Sequence, residues 1–465
     1  MDENKTNKKN KKKAIIIVVS SIIVLSLIAI SIPMSFLLQT DKSVKASKKY
    51  YKQNEIEIAK SNTFEKLNNV VYPDGIEPVF ANIDDDKISA YNNFSNKTYH
   101  SLVNTSKSDN MSYSTVGLYS LINEMVKASS RDDLTDRLNN LLGLDEDARK
   151  QFYYDVMNAN SFATENMTIQ LKNSAFFDNR FDYSPSFVDY LTNLYCEAYQ
   201  IDFSKEANKM IEWVNKAVNA NDFIDKDFLE LDDETALYLF STLYFKGAWQ
   251  NKYLKESNRD DDFYLSNGDV IKTKYMQHSY TTNQYYDYGS YISFKDYYYG
   301  GYASITYLVP KDTKDDIFML TKDTDIFTEN KNNKIENDNG GFITINLSTP
   351  KFNSKSDIDF ENCLKDLGFA DIYDSDIDSF HNAFASGKSD GYNLYVQKVK
   401  QRNEVEFNED GTIVRSVSMA SFGAKEAAFF EYDTLDIKLN QPFIYVIKDV
   451  NDIPIFVGHI DNPKI

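Results

Sequence analysis

The sequence predicts a mixed α+β domain, and three observations predict it. Helical periodicity dominates the first half of the chain and strand patterning the second. The chain then closes with a strand-like run, a long proline-free segment and two more strand-like runs.

The elements follow in order from the N-terminus. Lys5, Lys8, Lys9, Lys11, Lys12 and Lys13 precede an uncharged run from Ala14 to Leu38, long enough to span a hydrocarbon core of roughly 30 Å as a helix. Residues 1–13 are expected to stay cytoplasmic, residues 14–38 to form a single-pass signal anchor, and the rest to lie outside the cell membrane. A cleaved signal peptide, with Ala29 and Ser31 as the small-residue pattern, is the alternative, and the domain would then be secreted. Residues 39–82 are polar and read as a tether, which leaves 83–465 as the folded domain.

Within it, VGLYSLINEMVKAS from Val116, DDLTDRLNNLLGL from Asp132 and EANKMIEWVNKAVN from Glu206 carry helical periodicity. MTIQLKNSAFF from Met167, ALYLFSTLYF from Ala236, ASITYLVP from Ala303 and GFITINLSTPKF from Gly341 are apolar or alternating and bounded by turn residues, hence strands. The aromatic stretch from Gln284 to Pro310 is read as strand packing rather than a stacking platform.

Composition excludes several functions. A net charge of −19 argues against binding nucleic acid through its phosphates. Cys196 and Cys363 fall in segments read as helices, far apart, and are expected to be buried free thiols, with a disulfide left open. His100, His278, His381 and His459 offer no HExxH spacing, and no GxSxG elbow is present, so no metal, cofactor or enzymatic activity is expected. The acidic run Arg259 to Phe263 reads as solvated surface, and no internal repeat is visible. Asn-x-Ser/Thr sites such as Asn93, Asn96 and Asn346 are present.

The terminal segment from Glu406 to Phe430 is the most informative. Gly411 permits a sharp hinge after a strand ending at Asn408. If the following residues joined a sheet, Thr412, Val414, Ser416, Ser418, Ala420, Phe422 and Ala424 would share one face, and none is charged. Arg415 and Lys425 fall on the other face.

These residues resemble the serpin family, and other blocks extend the resemblance over nearly the whole domain. STLYFKGAWQNKY (Ser241 to Tyr253) matches through Phe245, Lys246, Gly247 and Trp249. Asn173 to Phe203 and Ser348 to Tyr373, with its "LG" pair, are similar to further family blocks. The resemblance implies one serpin domain: a large central sheet, smaller sheets, about eight to nine helices and an exposed reactive-centre loop. It implies a monomeric suicide inhibitor of an extracellular protease, serine-type or cysteine-type, trapped when the cut loop enters the sheet. Glu409, Gly411, Thr412 and Val414 correspond to the loop hinge, and Trp249 to the breach above the sheet opening. Ser114, Ser241 and Gln401 fall in the shutter, where Ser241 replaces an asparagine and Gln401 a histidine. Loop length places the reactive bond at Lys425–Glu426, with Phe422, Phe429 and Phe430 as alternatives. Val414, bulkier and stiffer than the family's usual alanine, and the altered shutter favour the alternative of a non-inhibitory binding or scaffold protein.

Overall fold

The structure is a computed structural model that describes residues 58, 63–73, 75, 78–106, 110–313, 315–336, 340–414 and 432–463. In chain order it begins with β1 (Glu65–Lys66), α1 (Asp85–Thr105), β2 (Asn110–Tyr113), α2 (Thr115–Ala128), α3 (Asp132–Leu142), α4 (Glu146–Ala159), β3 (Ser161–Ala163), β4 (Met167–Asp178) and α5 (Pro185–Asn193). There follow β5 (Cys196–Ile201), α6 (Phe203–Ala217), α7 (Lys226–Leu229), β6 (Leu237–Ala248), β7 (Arg259–Tyr264), β8 (Val270–Thr282), β9 (Tyr285–Asp287), β10 (Tyr291–Tyr297), β11 (Ala303–Pro310) and α8 (Ile317–Thr321). The remainder comprises β12 (Ile343–Pro350), β13 (Phe352–Asp359), α9 (Glu361–Asp366), β14 (Lys400–Asn408), β15 (Gly411–Val414), β16 (Thr434–Lys438), β17 (Phe443–Asp449) and β18 (Pro454–Ile460).

Local chemistry sets the helix ends. Ser114 Oγ accepts from Gly117 N at the start of α2, Asp145 from Ala148 N at α4, and Asp202 from Ser204 N at α6. Helix α3 stops at Gly143, which is left-handed (φ 75°).

The strands form three sheets. The largest runs β1-β5-β4-β6-β15-β14-β13, with β3 on β4. A second runs β2-β18-β17-β11-β10-β9, and a third β16-β12-β8-β7. The α+β class and the nine α-helices seen among the described residues agree with expectation.

Helix α2, almost wholly buried, contacts β6 and β18 and so lies between the first two sheets. Helix α6 contacts β4 and β6 and seals a separate aromatic cluster with Trp213, Phe176, Tyr199 and Phe240. Strand β6 therefore has packing on both faces, which is why its sequence is a continuous apolar run rather than an alternating one. The aromatic stretch from Gln284 forms β9, β10 and β11.

Two differences from the sequence reading are local. Cys196 opens strand β5 rather than lying in a helix, because its segment pairs in parallel with β4 and is buried nearly throughout. Both cysteines are buried and free. Residues 63–73, within the stretch read as a tether, run along the sheet edge: β1 pairs with β5, and the Asn68 side chain bonds Thr192 Oγ1, Cys196 O and Ala198 N. The basic start and the anchor at 14–38 lie outside the described residues. Among the described residues no helix is long and apolar enough to cross a membrane.

Candidate functional site: a slot in the large sheet

The chain leaves β14 at Asn408, turns through Glu409 and Asp410, and returns as β15. The turn is tied by Asp410 N donating to Asn408 Oδ1 (2.9 Å) and Asn408 Nδ2 donating to Glu406 Oε1 (2.7 Å). Glu409 is buried and pairs with Lys351 at 2.9 Å, and Asn258 donates to it as well. Burial pushes its carboxyl up, but the hydrogen bonds from Asn258 and Lys351 outweigh that and hold it below the usual carboxylate range.

Strand β15 is antiparallel to both neighbours. Gly411, Thr412, Ile413 and Val414 face Ala248, Gly247, Lys246 and Phe245 on β6, while Gly411, Thr412 and Ile413 face Asn408, Phe407 and Glu406 on β14. The hinge thus stands in the sheet for its first four residues. Gly411 is demanded by close approach: a Cβ there would meet the Gly247 carbonyl oxygen at 2.1 Å. Gly247 is equally confined, with Tyr298 Cδ1 at 2.7 Å from any added Cβ.

Thr412 points inward, 1% exposed, and receives a 2.7 Å hydrogen bond from Tyr298 OH. Tyr298 stacks on Trp249 at 4.8 Å between centroids, and Trp249 Nε1 donates to Asn408 O at 2.9 Å. Phe407 closes the cluster against Trp249 and Phe352, each at 5.0 Å. Trp249 is therefore brought together with the hinge.

Below this point no described strand lies between β6 and β14. Among the described residues β6 and β14 pair with β15 and with their outer neighbours, not with each other. A groove of about 220 Å³ runs between them, floored by Leu121 and Met125 of α2 and edged by Leu239, Leu243 and Val399. Near its middle Gln401 Oε1 accepts from Ser114 N (3.0 Å) and Gln401 Nε2 donates to Ser114 O (3.1 Å), while Ser114 Oγ donates to Ile455 O (3.1 Å). Glutamine offers a donor and an acceptor in one amide, so Gln401 makes a two-way link to Ser114. Ser241 does not join it: its Oγ is buried without a hydrogen-bond partner, as is Asn403 Nδ2.

Lys425, Glu426, Phe422, Phe429 and Phe430 lie outside the described residues. Sequence reasoning missed Tyr298, Asn258, Lys351 and Asn403. Tyr298 is one tyrosine among 33 in the chain, and Asn258 and Lys351 act on Glu409 across the fold, where no sequence spacing reports them.

The serpin (serine protease inhibitor) family model matches residues 89–463. A serine protease inhibitor from Cyanea capillata is 24% identical over 352 residues, covering 73% of this chain and 89% of that one. A leukocyte elastase inhibitor from Sus scrofa is 25% identical over 306 residues, 63% of this chain and 78% of that one. Among solved structures, the thermophilic serpin tengpin in its native state superposes with a TM-score of 0.71 at 22% identity, covering 86% of this chain and all of that one.

Proposed function

The chain belongs to the serpin family, whose members are protease inhibitors rather than enzymes, and we propose that it traps an extracellular serine endopeptidase as a suicide substrate. The observation that carries this reading is the hinge: residues 411–413 are already paired on both sides, and Val414 with β6, at the head of a groove that continues between β6 and β14. The protease serine attacks the carbonyl carbon of the reactive residue and the amine of the next residue leaves. The freed N-terminal arm then continues β15 down the groove before water can hydrolyse the ester. Strand addition supplies main-chain hydrogen bonds on two edges at once, a favourable step withheld while the loop is tied at both ends.

Lys425–Glu426 is the bond assigned to a trypsin-like target, with Phe422, Phe429 and Phe430 as sites for a chymotrypsin-like or subtilisin-like one. Incubating the full chain with one protease of each type and resolving the mixture on denaturing gels tests the proposal. A covalent complex resistant to denaturant is expected, and the mass of the released C-terminal peptide gives the bond. Cleavage without complex overturns it. Residues 14–38 are assigned to a membrane anchor that displays the domain outside the cell; extraction into alkaline carbonate would overturn that part alone.

A further inference from the structure

A second cavity, of about 810 Å³, shares only Phe384 with the groove. The end of α2, helix α3 and the starts of α4 and α5 enclose it. Its volume suits a small molecule, and its polar groups are incompletely paired. Arg149 of α4 lines it and is 1% exposed. Its guanidinium donates from Nε to Asn123 Oδ1 at 2.9 Å and from Nη1 to Leu144 O, and lies beside the Tyr190 hydroxyl. All three are neutral, and among the described residues no carboxylate pairs with it, although a buried cation ordinarily has an anion against it. Asn139 Oδ1 on α3 is also buried without a hydrogen-bond partner. Helix α5 starts without a side-chain cap, Ser184 Oγ meeting Ser186 Oγ at 3.0 Å rather than an amide.

We propose that this cavity binds a small zwitterion, a molecule with one carboxylate and one ammonium group, such as an amino acid. The charges of the lining decide the class. Lys127 and Arg149 stand against Asp132, Asp145 and Glu146, so a phosphate or other dianion meets net repulsion. The signs are also separated by depth. Arg149 is buried, whereas Asp132, Asp145 and Glu146 are exposed. Lys127 is exposed too, but its ammonium group is held over the Tyr190 ring at 5.8 Å. The ligand carboxylate therefore enters first and accepts from Arg149, supplying the charge-assisted pair that the guanidinium lacks. The uncapped start of α5 adds partial positive charge at the same end. The ammonium group stays toward the mouth, where the acidic side chains and Asn139 Oδ1 are acceptors. This site does not rest on the inhibitory reading.

Calorimetric titration of the full chain with glycine, 4-aminobutanoate and 6-aminohexanoate tests this, since the three set their charges at increasing separation. Hexanoate and hexylamine carry one charge each and serve as controls, with inorganic phosphate as the dianion. One amino acid of the series is expected to bind at least about tenfold more tightly than any control. Arg149→Gln should weaken that binding about tenfold. Should Arg149→Gln fail to fold, Asp132→Asn combined with Glu146→Gln decides, because both side chains are exposed and the fold survives their loss. That double variant is expected to bind the amino acid about threefold more weakly and hexanoate no more weakly than the wild type. Hexanoate or phosphate binding as tightly as the best amino acid overturns the zwitterion. Unchanged amino-acid affinity in either variant overturns this cavity as its place, and no binding by any probe overturns the site.

Discussion

Gly411 is fixed by its neighbour across the strand: the 2.1 Å contact between any Cβ and the Gly247 oxygen leaves no side chain that fits while β15 stays paired. Gly411→Ala should therefore expel the hinge, and on protease challenge the fraction trapped as covalent complex should fall several-fold in favour of cut, released chain. An unchanged partition on denaturing gels would sink this. Tyr298→Phe removes the donor to Thr412 Oγ1 and is expected to lower stability by about 1 kcal/mol, read by denaturant titration. A third residue acts through pH. Glu124 of α2 is fully buried, and burial pushes its carboxyl up to about 8 despite hydrogen bonds from Cys196 and Ser120. The folded chain thus holds this proton more tightly than the unfolded chain, so stability is greatest below the ordinary value of 4.5 and falls as pH rises toward 8. Asp449 works in the same direction but only up to about 6. Between those two values Glu124→Gln should flatten the decline. Parallel pH profiles in that window would refute the assignment.

At the scale of elements, the strands and the central helices were legible because their burial is written in their own periodicity: α2, α3, β4, β6 and β11 all lie on runs whose spacing predicts them. Cys196 was misplaced because a short apolar run does not distinguish a strand from a helix. The clamp on Glu409 and the polar groove walls were illegible for a different reason, since each joins residues more than fifty positions apart, such as Lys351 with Glu409. The same holds for the ion cluster that fastens β10 to β17. Lys448 Nζ lies 2.9 Å from both Glu329 oxygens, Lys295 Nζ lies 3.6 Å from one of them, and Lys448 is 2% exposed. Burial raises the Glu329 carboxyl, but the two ammonium groups carry it down to about 2. Its contribution is present above the ordinary 4.5 and is lost as pH falls from there toward 2. Glu329→Gln leaves the Lys295 and Lys448 ammonium groups to share Asp452, at 2.6 and 3.5 Å, and should cost about 3 kcal/mol near neutral pH. Equal denaturation midpoints for variant and wild type at that pH would refute this.

At the scale of the molecule, the residues ahead of the matched family region belong to the fold. The family model begins at residue 89, yet residues 63–73 cover the outer edge of the large sheet. Leu67 N donates to Ala198 O at 2.8 Å, Lys66 pairs with Glu197 at 2.9 Å, and Phe64 stacks on Tyr199 at 5.1 Å. Composition hid this, because Asn68 and Lys66 look like tether residues until their partners on β5 are known. An uncovered edge strand presents free amides and carbonyls to other chains. Strand β5 between Cys196 and Ile201 is apolar enough to accept such a partner. A chain beginning after residue 73 is therefore expected to unfold about 2–4 °C lower for the hydrogen bonds lost. It should also self-associate as its concentration rises, where the full-length domain does not. Asn68→Ala alone strips Ala198 N of its acceptor and should give part of the midpoint loss without the association, because β1 still covers the edge. Sedimentation velocity across a hundredfold concentration range, beside the thermal midpoints of the three chains, decides the matter. Identical behaviour of the shortened chain would mean that residues 63–73 rest on the edge without protecting it.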